Sequence, residues 1–214
     1  MPSALCPLPI IFVVIMSKEA TPSISKINGL VLAGGESTRM GSDKGLMDYY
    51  GIPQREYLVQ LLKPYTAETY ISIREGQVLV SEIPILEDTY SGLGPFGGIL
   101  SAFAFDPDVA WLVVACDFPL LDHKAIEQLL RERNVNSIAT SLLDEHTLMP
   151  EPWITILEPK IFPILQEYHR RGKSSLRGVL VDYNSTVIRA ENPQILLNAN
   201  TPEEAEQLRR MMEG

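Results

Sequence analysis

At 214 residues with 45% hydrophobic content, the chain is long enough to bury the core of one α/β domain and too apolar for a disordered segment. A formal net charge of -9 excludes a general nucleic-acid binder, whose groove needs a basic excess. With only Cys6 and Cys116, a disulfide scaffold is excluded too, and Cys116 reads as a small core residue because no histidine stands in a motif that would activate it.

The opening MPSALCPLPIIFVVIM carries an apolar run broken by Pro9. It lacks a basic lead and falls well short of the ~20 residues that span a bilayer, so no membrane anchor is expected. Two readings remain, a floppy tail or an upstream extension from a misplaced start codon, with Met16 opening a polar lead of ordinary length. Residues 1–15 are expected to pack poorly and to be dispensable. The expected division is 1–26 as a poorly ordered or spurious extension and 27–214 as a single domain.

Residues 29–45, GLVLAGGESTRMGSDKG, are the most informative stretch. An apolar run of strand type opens onto Gly34-Gly35, and the polar segment beyond it carries Arg39, Asp43 and Lys44. Glycines let backbone N–H groups approach an anion, and the Arg and Lys add cationic donors, a set suited to a nucleoside triphosphate. Five residues separate Gly35 from Gly41, and Gly41 is followed by Ser42-Asp43, so this is not a Walker A loop; G-x-G-x-x-G is also absent. The pattern L-A-G-G-x-x-x-R-M-G-x-D-K, with nine fixed positions in thirteen, resembles the signature of nucleotidyltransferases related to the molybdenum cofactor guanylyltransferases, the MobA-like family.

Leu58, Leu61 and Leu62 then recur at helical spacing, which predicts a helix over Gln54–Leu62 with Tyr57 and Tyr65 as packing residues. Residues 68–73 predict a strand whose C-terminal end presents Ser72 and Arg74 to the ligand crevice of an open sheet. A short strand over 83–86, the Glu87-Asp88 pair and the glycine-rich TYSGLGPFGG lead into a helix from about Phe96 to Phe105. The resemblance places Asp88 at the position that contacts the nucleotide; an ordinary turn or cap residue is the competing reading.

The run AWLVVAC is the expected central strand, and Asp117 follows at its tip. A carboxylate there is best explained by a bound cation such as Mg²⁺, which takes one or two protein carboxylates and completes its shell with phosphate oxygens and water. The resemblance agrees, since Cys116, Asp117, Pro119 and Leu120 match its metal-binding C-D-x-P-x-L. Asp122 is expected to cap the amphipathic helix that follows, over 123–133.

From residue 137 the pattern predicts a strand, a hairpin through DEHT, a second strand ending ITIL, and a helix through EPKIFPILQEYHRRG. The resembling proteins carry H-P-L near the acceptor pocket; this chain has Met149-Pro150-Glu151-Pro152-Trp153, and Trp153 either stacks on a flat heterocycle or packs in the sheet. Arg170, Arg171, Lys173 and Arg177 form a basic island that either holds a phosphate or complements a helix C-terminus. A short apolar strand over 195–197 is expected before Asn198-Ala199-Asn200. Thr201-Pro202-Glu203-Glu204 then reads as a capped helix start with a capping box.

The resemblance covers about residues 29–208. It implies a three-layer α/β/α sandwich, Rossmann-like, with a mostly parallel sheet of the nucleotide-diphospho-sugar transferase type. The implied reaction moves GMP from GTP to the phosphate of molybdenum-molybdopterin and releases pyrophosphate. A cytidylyltransferase, a sugar-phosphate nucleotidyltransferase and a non-catalytic nucleotide-binding adaptor are the alternatives. Implied catalytic residues are Arg39, Lys44 and Asp117. Nucleotide contacts fall on Leu32, Ala33, Gly34, Gly35, Lys44, Ser72, Asp88 and Asp117, with Mg²⁺ on Asp117 and Asn200. The acceptor falls on Trp153, Lys173, Arg177 and Asn198. A cytoplasmic location is expected, with no nucleic-acid or membrane partner and transient contacts with cofactor-biosynthesis proteins or apo-molybdoenzymes.

Overall fold

In the computed structural model, residues 26–34, 44–79 and 81–213 are described, with the side chains of Lys44 and Glu213 outside that set. The expectations for residues 1–25 therefore lie outside the described residues.

The two most apolar strand segments form the centre. β1 (Ile27–Leu32) is buried at every position, and β4 (Ala110–Ala115) is buried through Val114. They pair in parallel, so a continuous hydrophobic run can be covered on both faces. Alternation along each strand divides the side chains: Val31, Leu112 and Val114 enter one core, and Leu30, Trp111 and Val113 enter the other. β2 (Thr69–Ile73) lies parallel to β1, and β3 (Ile85–Glu87) lies parallel to β2. On the other side, β6 (Met149–Leu157) runs antiparallel to both β4 and β5 (Ala139–Asp144), and β7 (Thr186–Ile188) closes the edge parallel to β5. The order is β3-β2-β1-β4-β6-β5-β7. Its direction of growth reverses between β1 and β4, the place where open α/β sheets bind ligands.

Helices cover both faces. α1 (Gln54–Leu62) and α3 (His123–Arg131) supply Leu58, Leu61, Leu62, Ile126 and Leu129 to the first core. α2 (Pro95–Phe105), α4 (Phe162–Arg170) and α5 (Leu176–Asp182) supply Phe96, Phe103, Leu165, Val179 and Leu180 to the second. Asp122 caps α3 by accepting from Ala125 N at 2.9 Å. The last helix, α6 (Pro202–Glu213), opens with the expected capping box, Glu204 N donating to Thr201 Oγ1 (3.2 Å) and Thr201 N to Glu204 Oε2 (3.1 Å). Ala199, Ala205 and Leu208 form a third small core with Met47, Tyr49, Leu120 and Leu197. Among the described residues, no helix is long and apolar enough to cross a membrane.

Three elements differ from expectation. The third strand begins at Ile85 rather than at residue 83, β7 carried no sequence signal, and the apolar ILL forms a 3-10 turn over Pro193–Leu196 instead of a strand. Asn192 explains the last: its side chain accepts from Gln194 N at 3.1 Å and Pro193 follows, a helical start on too short a run to continue.

α2 packs so closely on the segment after β3 that Gly97 in its first turn leaves no room for a side chain. A Cβ on Gly97 would stand 2.5 Å from the Tyr90 carbonyl oxygen and 2.6 Å from Asp88 Oδ2. Gly97→Ala must displace backbone and is expected to destabilise the fold by about 1–3 kcal/mol in urea unfolding. An unchanged midpoint would refute this close approach.

Candidate active site

The three parallel strand ends lie side by side, with Leu32 in register with both Ser72 and Ala115. Just past that edge, Ala33 N donates to Ser72 O at 3.1 Å. Gly34 rests on the end of β2, where a Cβ would come within 3.0 Å of Arg74 N. The Gly-rich turn thus departs from the centre of this edge. Gly35 and Arg39 lie outside the described residues; Lys44 opens a 3-10 turn (Lys44–Leu46), with its side chain outside them as well.

Asp117 stands two residues beyond Ala115, half-buried, between the buried Cys116 and Phe118. Its carbonyl accepts from Ala199 N at 2.8 Å. That bond sets Asn198 and Asn200 on either side of the backbone position facing Asp117, so segments more than eighty residues apart in sequence meet at one point. The rest of the Asp117 loop is held from α1 and the turn before it. Tyr50 Oη donates to Pro119 O (2.6 Å), Tyr57 Oη to Leu121 O (3.2 Å) and Gln54 Nε2 to Phe118 O (3.4 Å).

Ser72 and Asp88 are both buried and both belong to the floor under α2. A Cβ on Gly98 would stand 2.5 Å from Ser72 Oγ. Asp88 Oδ1 accepts from Tyr90 N (2.7 Å) and Ser101 Oγ (2.9 Å), tying the end of β3 to α2. The turn-residue reading of Asp88 accounts for these contacts.

The four acceptor residues have different immediate surroundings. Trp153 packs between the two cores, which is the sheet-packing alternative, and Lys173 Nζ sits 5.0 Å over the Tyr168 ring. Arg170 and Arg171 both pair with Glu167, a helix-terminal arrangement. Arg177 and Asn198, however, line one cavity of about 860 Å³ together with Asp144, His146, Glu151 and Glu204. Arg177 pairs with the buried Glu151 (3.2 Å) and donates to Pro150 O (3.1 Å). Burial pushes the Glu151 carboxyl above the usual carboxylate range; the Trp153 N–H and Arg177 oppose the rise, and the charges of Asp117 and Asp144 add to it. Glu151 was missed in the sequence, although a lone carboxylate inside a strand-forming apolar run was its signal. Among the described residues, no group of three or more His, Cys, Asp or Glu is placed to hold a metal by itself.

A sheet whose order reverses between β1 and β4, with a Gly-rich turn and an aspartate at the adjacent strand tips, defines a Rossmann-like nucleotidyltransferase fold. Residues 29–187 match the MobA-like NTP transferase domain, and the chain belongs to that family. It is 31% identical over 195 residues to the molybdenum cofactor guanylyltransferase of Photobacterium profundum, covering 87% of this chain and 97% of that one. It is 30% identical over 193 residues to the molybdenum cofactor biosynthesis bifunctional protein of Synechocystis, covering 89% of this chain but 56% of that longer protein. Among solved structures, molybdopterin-guanine dinucleotide biosynthesis protein A from Archaeoglobus fulgidus superposes with a TM-score of 0.72 at 18% identity, over 87% of this chain and 98% of that one, a likeness of fold.

A carboxyl with a raised folded-state pKa binds more protons folded than unfolded, so its contribution to stability falls as pH rises through the raised value. Glu151→Gln has no charge to desolvate. Its melting temperature relative to wild type is therefore expected to rise as the pH increases from about 4, the ordinary glutamate range, through the raised value. A difference that stayed flat or fell with pH would contradict the assigned burial of the charge.

Proposed function

We propose that this chain transfers GMP from GTP to the phosphate of molybdenum-molybdopterin, releasing pyrophosphate and forming the guanine dinucleotide form of the cofactor. The single observation that carries this reading is the Ala199–Asp117 hydrogen bond. It brings the two motif segments together in a chain that aligns along nearly the full length of a guanylyltransferase, which supports the reading.

The reaction needs no covalent enzyme intermediate. An oxygen of the acceptor phosphate forms a bond to the α-phosphorus of GTP as the bond from that phosphorus to the β-bridging oxygen breaks, and pyrophosphate leaves with the electron pair. An acceptor phosphate is already ionised near neutral pH, so no general base is required. Backbone N–H groups after Gly34 and the cations of Arg39 and Lys44 hold the triphosphate and stabilise charge on its equatorial and leaving oxygens. Asp117 and Asn200 offer a carboxylate and an amide oxygen at adjoining backbone positions, hard donors that fit Mg²⁺. Bound there, the ion would neutralise developing phosphate charge. Positioning and electrostatics then account for most of the acceleration.

Acidic residues around the large cavity favour the ring end of the acceptor there rather than its phosphate, since Asp144, Glu145, Glu151 and Glu204 outnumber Arg177. Under this reading the enzyme works in the cytoplasm and passes product to cofactor-handling proteins or apo-molybdoenzymes.

Pyrophosphate release with each of the four nucleoside triphosphates and molybdenum-molybdopterin tests the assignment, and GTP is expected to be preferred; preference for CTP would overturn it. Asp117→Asn should lower kcat by about 100-fold or more while the folded chain still binds nucleotide. Full turnover by that variant would remove Asp117 from the mechanism.

A further inference from the structure

The loop that carries Asp117 has a backbone problem. It leaves the tip of a buried strand, so carbonyls that no longer pair in the sheet need other partners. Asp117 O is met by Ala199 N, and Phe118 O is met by Leu121 N at 3.3 Å and by the buried Gln54 side chain. Two partners remain to be explained, the phenols of Tyr50 and Tyr57. Their rings stack at 3.8 Å between centroids with 13° between planes, so the two hydroxyls reach the carbonyls of Pro119 and Leu121 as one rigid unit.

What lies upstream gives this unit its meaning. Residues 47–54 form a tight turn, in which Gly51 N donates to Asp48 Oδ1 (2.6 Å), Asp48 bridges to Pro53, and Gln54 N donates to Met47 O (2.8 Å). Gly51 has φ of 80°, a left-handed conformation that favours glycine. This turn follows Lys44–Leu46 directly, so it is the exit of the Gly-rich phosphate loop. Its other flank is fixed by α6, where Arg209 donates to Asp48 O (3.3 Å) and lies 5.2 Å over the Tyr49 ring. The exit of one functional loop is thereby bolted to the carbonyls of the other.

We propose that Tyr50 and Tyr57 are positioning residues that set where the Asp117 carboxylate stands relative to the phosphate-loop exit, a role that rests on the transfer reaction proposed above. Neither needs to touch substrate. Each acts through a backbone carbonyl, and loss of both hydroxyls releases the Pro119 and Leu121 carbonyls while leaving the stacked rings and the Gln54 bond to Phe118 O in place.

The test uses Tyr50→Phe, Tyr57→Phe and the double variant in the full chain. Tyr65→Phe is the control, because Tyr65 Oη bonds side chains of α3, Glu127 (2.9 Å) and His123 Nδ1 (3.1 Å), rather than a carbonyl of the 118–121 loop. In the double variant, amide exchange over residues 117–121 and at Ala199 is expected to quicken by about 10-fold. Its kcat is expected to fall by about 10-fold to 100-fold with KM for GTP unchanged, as for loss of a group that orients a ligand's own side chain. Tyr65→Phe is expected to leave exchange at 117–121, kcat and KM unchanged. Wild-type exchange rates in the double variant would overturn the strap, and so would a kcat loss that Tyr65→Phe reproduces. Exchange is read without substrate, so a wild-type chain that turned over no triphosphate would sink the transfer reading and still leave the strap to be decided by its amides.

Discussion

The site depends on satisfying the carbonyls of one short loop. The WLVVA segment in β4 is so apolar that it must lie between two helical layers, and it delivers Asp117 to the end of the sheet with a backbone that can no longer pair there. Apart from Leu121 N within the loop, the partners that the loop finds come from the other segments of the site: Ala199 from the Asn-rich turn, and Tyr50, Gln54 and Tyr57 from the turn after the Gly-rich stretch and α1. Hydrogen-bond necessity thus assembles the site. The net value of one such bond is only about 1 kcal/mol, but an unmet buried carbonyl costs more, so the loop has few other resting places.

Charge distribution follows the same logic. A chain with net charge -9 repels polyphosphate at long range, so attraction has to be local. Of the basic residues that sequence suggested for anions, Arg170, Arg171 and Arg177 are engaged with Glu167 and Glu151, and Lys173 lies over the Tyr168 ring. This leaves the phosphate-loop cations and a divalent ion as the natural anion partners in the proposed reaction. The acidic cavity beside Arg177 suits a neutral, donor-rich ring.

Much of the scaffold was legible in the residues. The Gln54–Leu62 helix, the AWLVVA strand, the Asp122 cap and the Thr201–Glu204 box all rest on local periodicity or on side chains within four positions of each other. What escaped was of two kinds. β7 is three residues long and lies at a sheet edge, where packing sets its conformation, and the 193–196 turn took its shape from a single Asn-Pro start. The strap and the Glu151–Arg177 pair escaped because their partners are 64 to 69 and 26 residues away in sequence, and which carbonyls need donors is known only once the sheet is built. Family resemblance made neighbours of Asp117 and the Asn turn, and the Ala199–Asp117 hydrogen bond joins them; of the four residues it grouped at the acceptor, Arg177 and Asn198 line one cavity, while Trp153 packs against both cores and Lys173 lies over the Tyr168 ring.

The central claim is that the phosphate loop, Asp117 and the Asn198–Asn200 turn enclose one triphosphate. A crystal structure of the full chain with GTP and Mg²⁺ tests it most directly. The predicted result is a single nucleotide at the β1–β4 edge, its phosphates against the backbone after Gly34 and its metal bound by Asp117 beside Asn200. A triphosphate bound on another surface, or a metal that leaves Asp117 untouched, would contradict it.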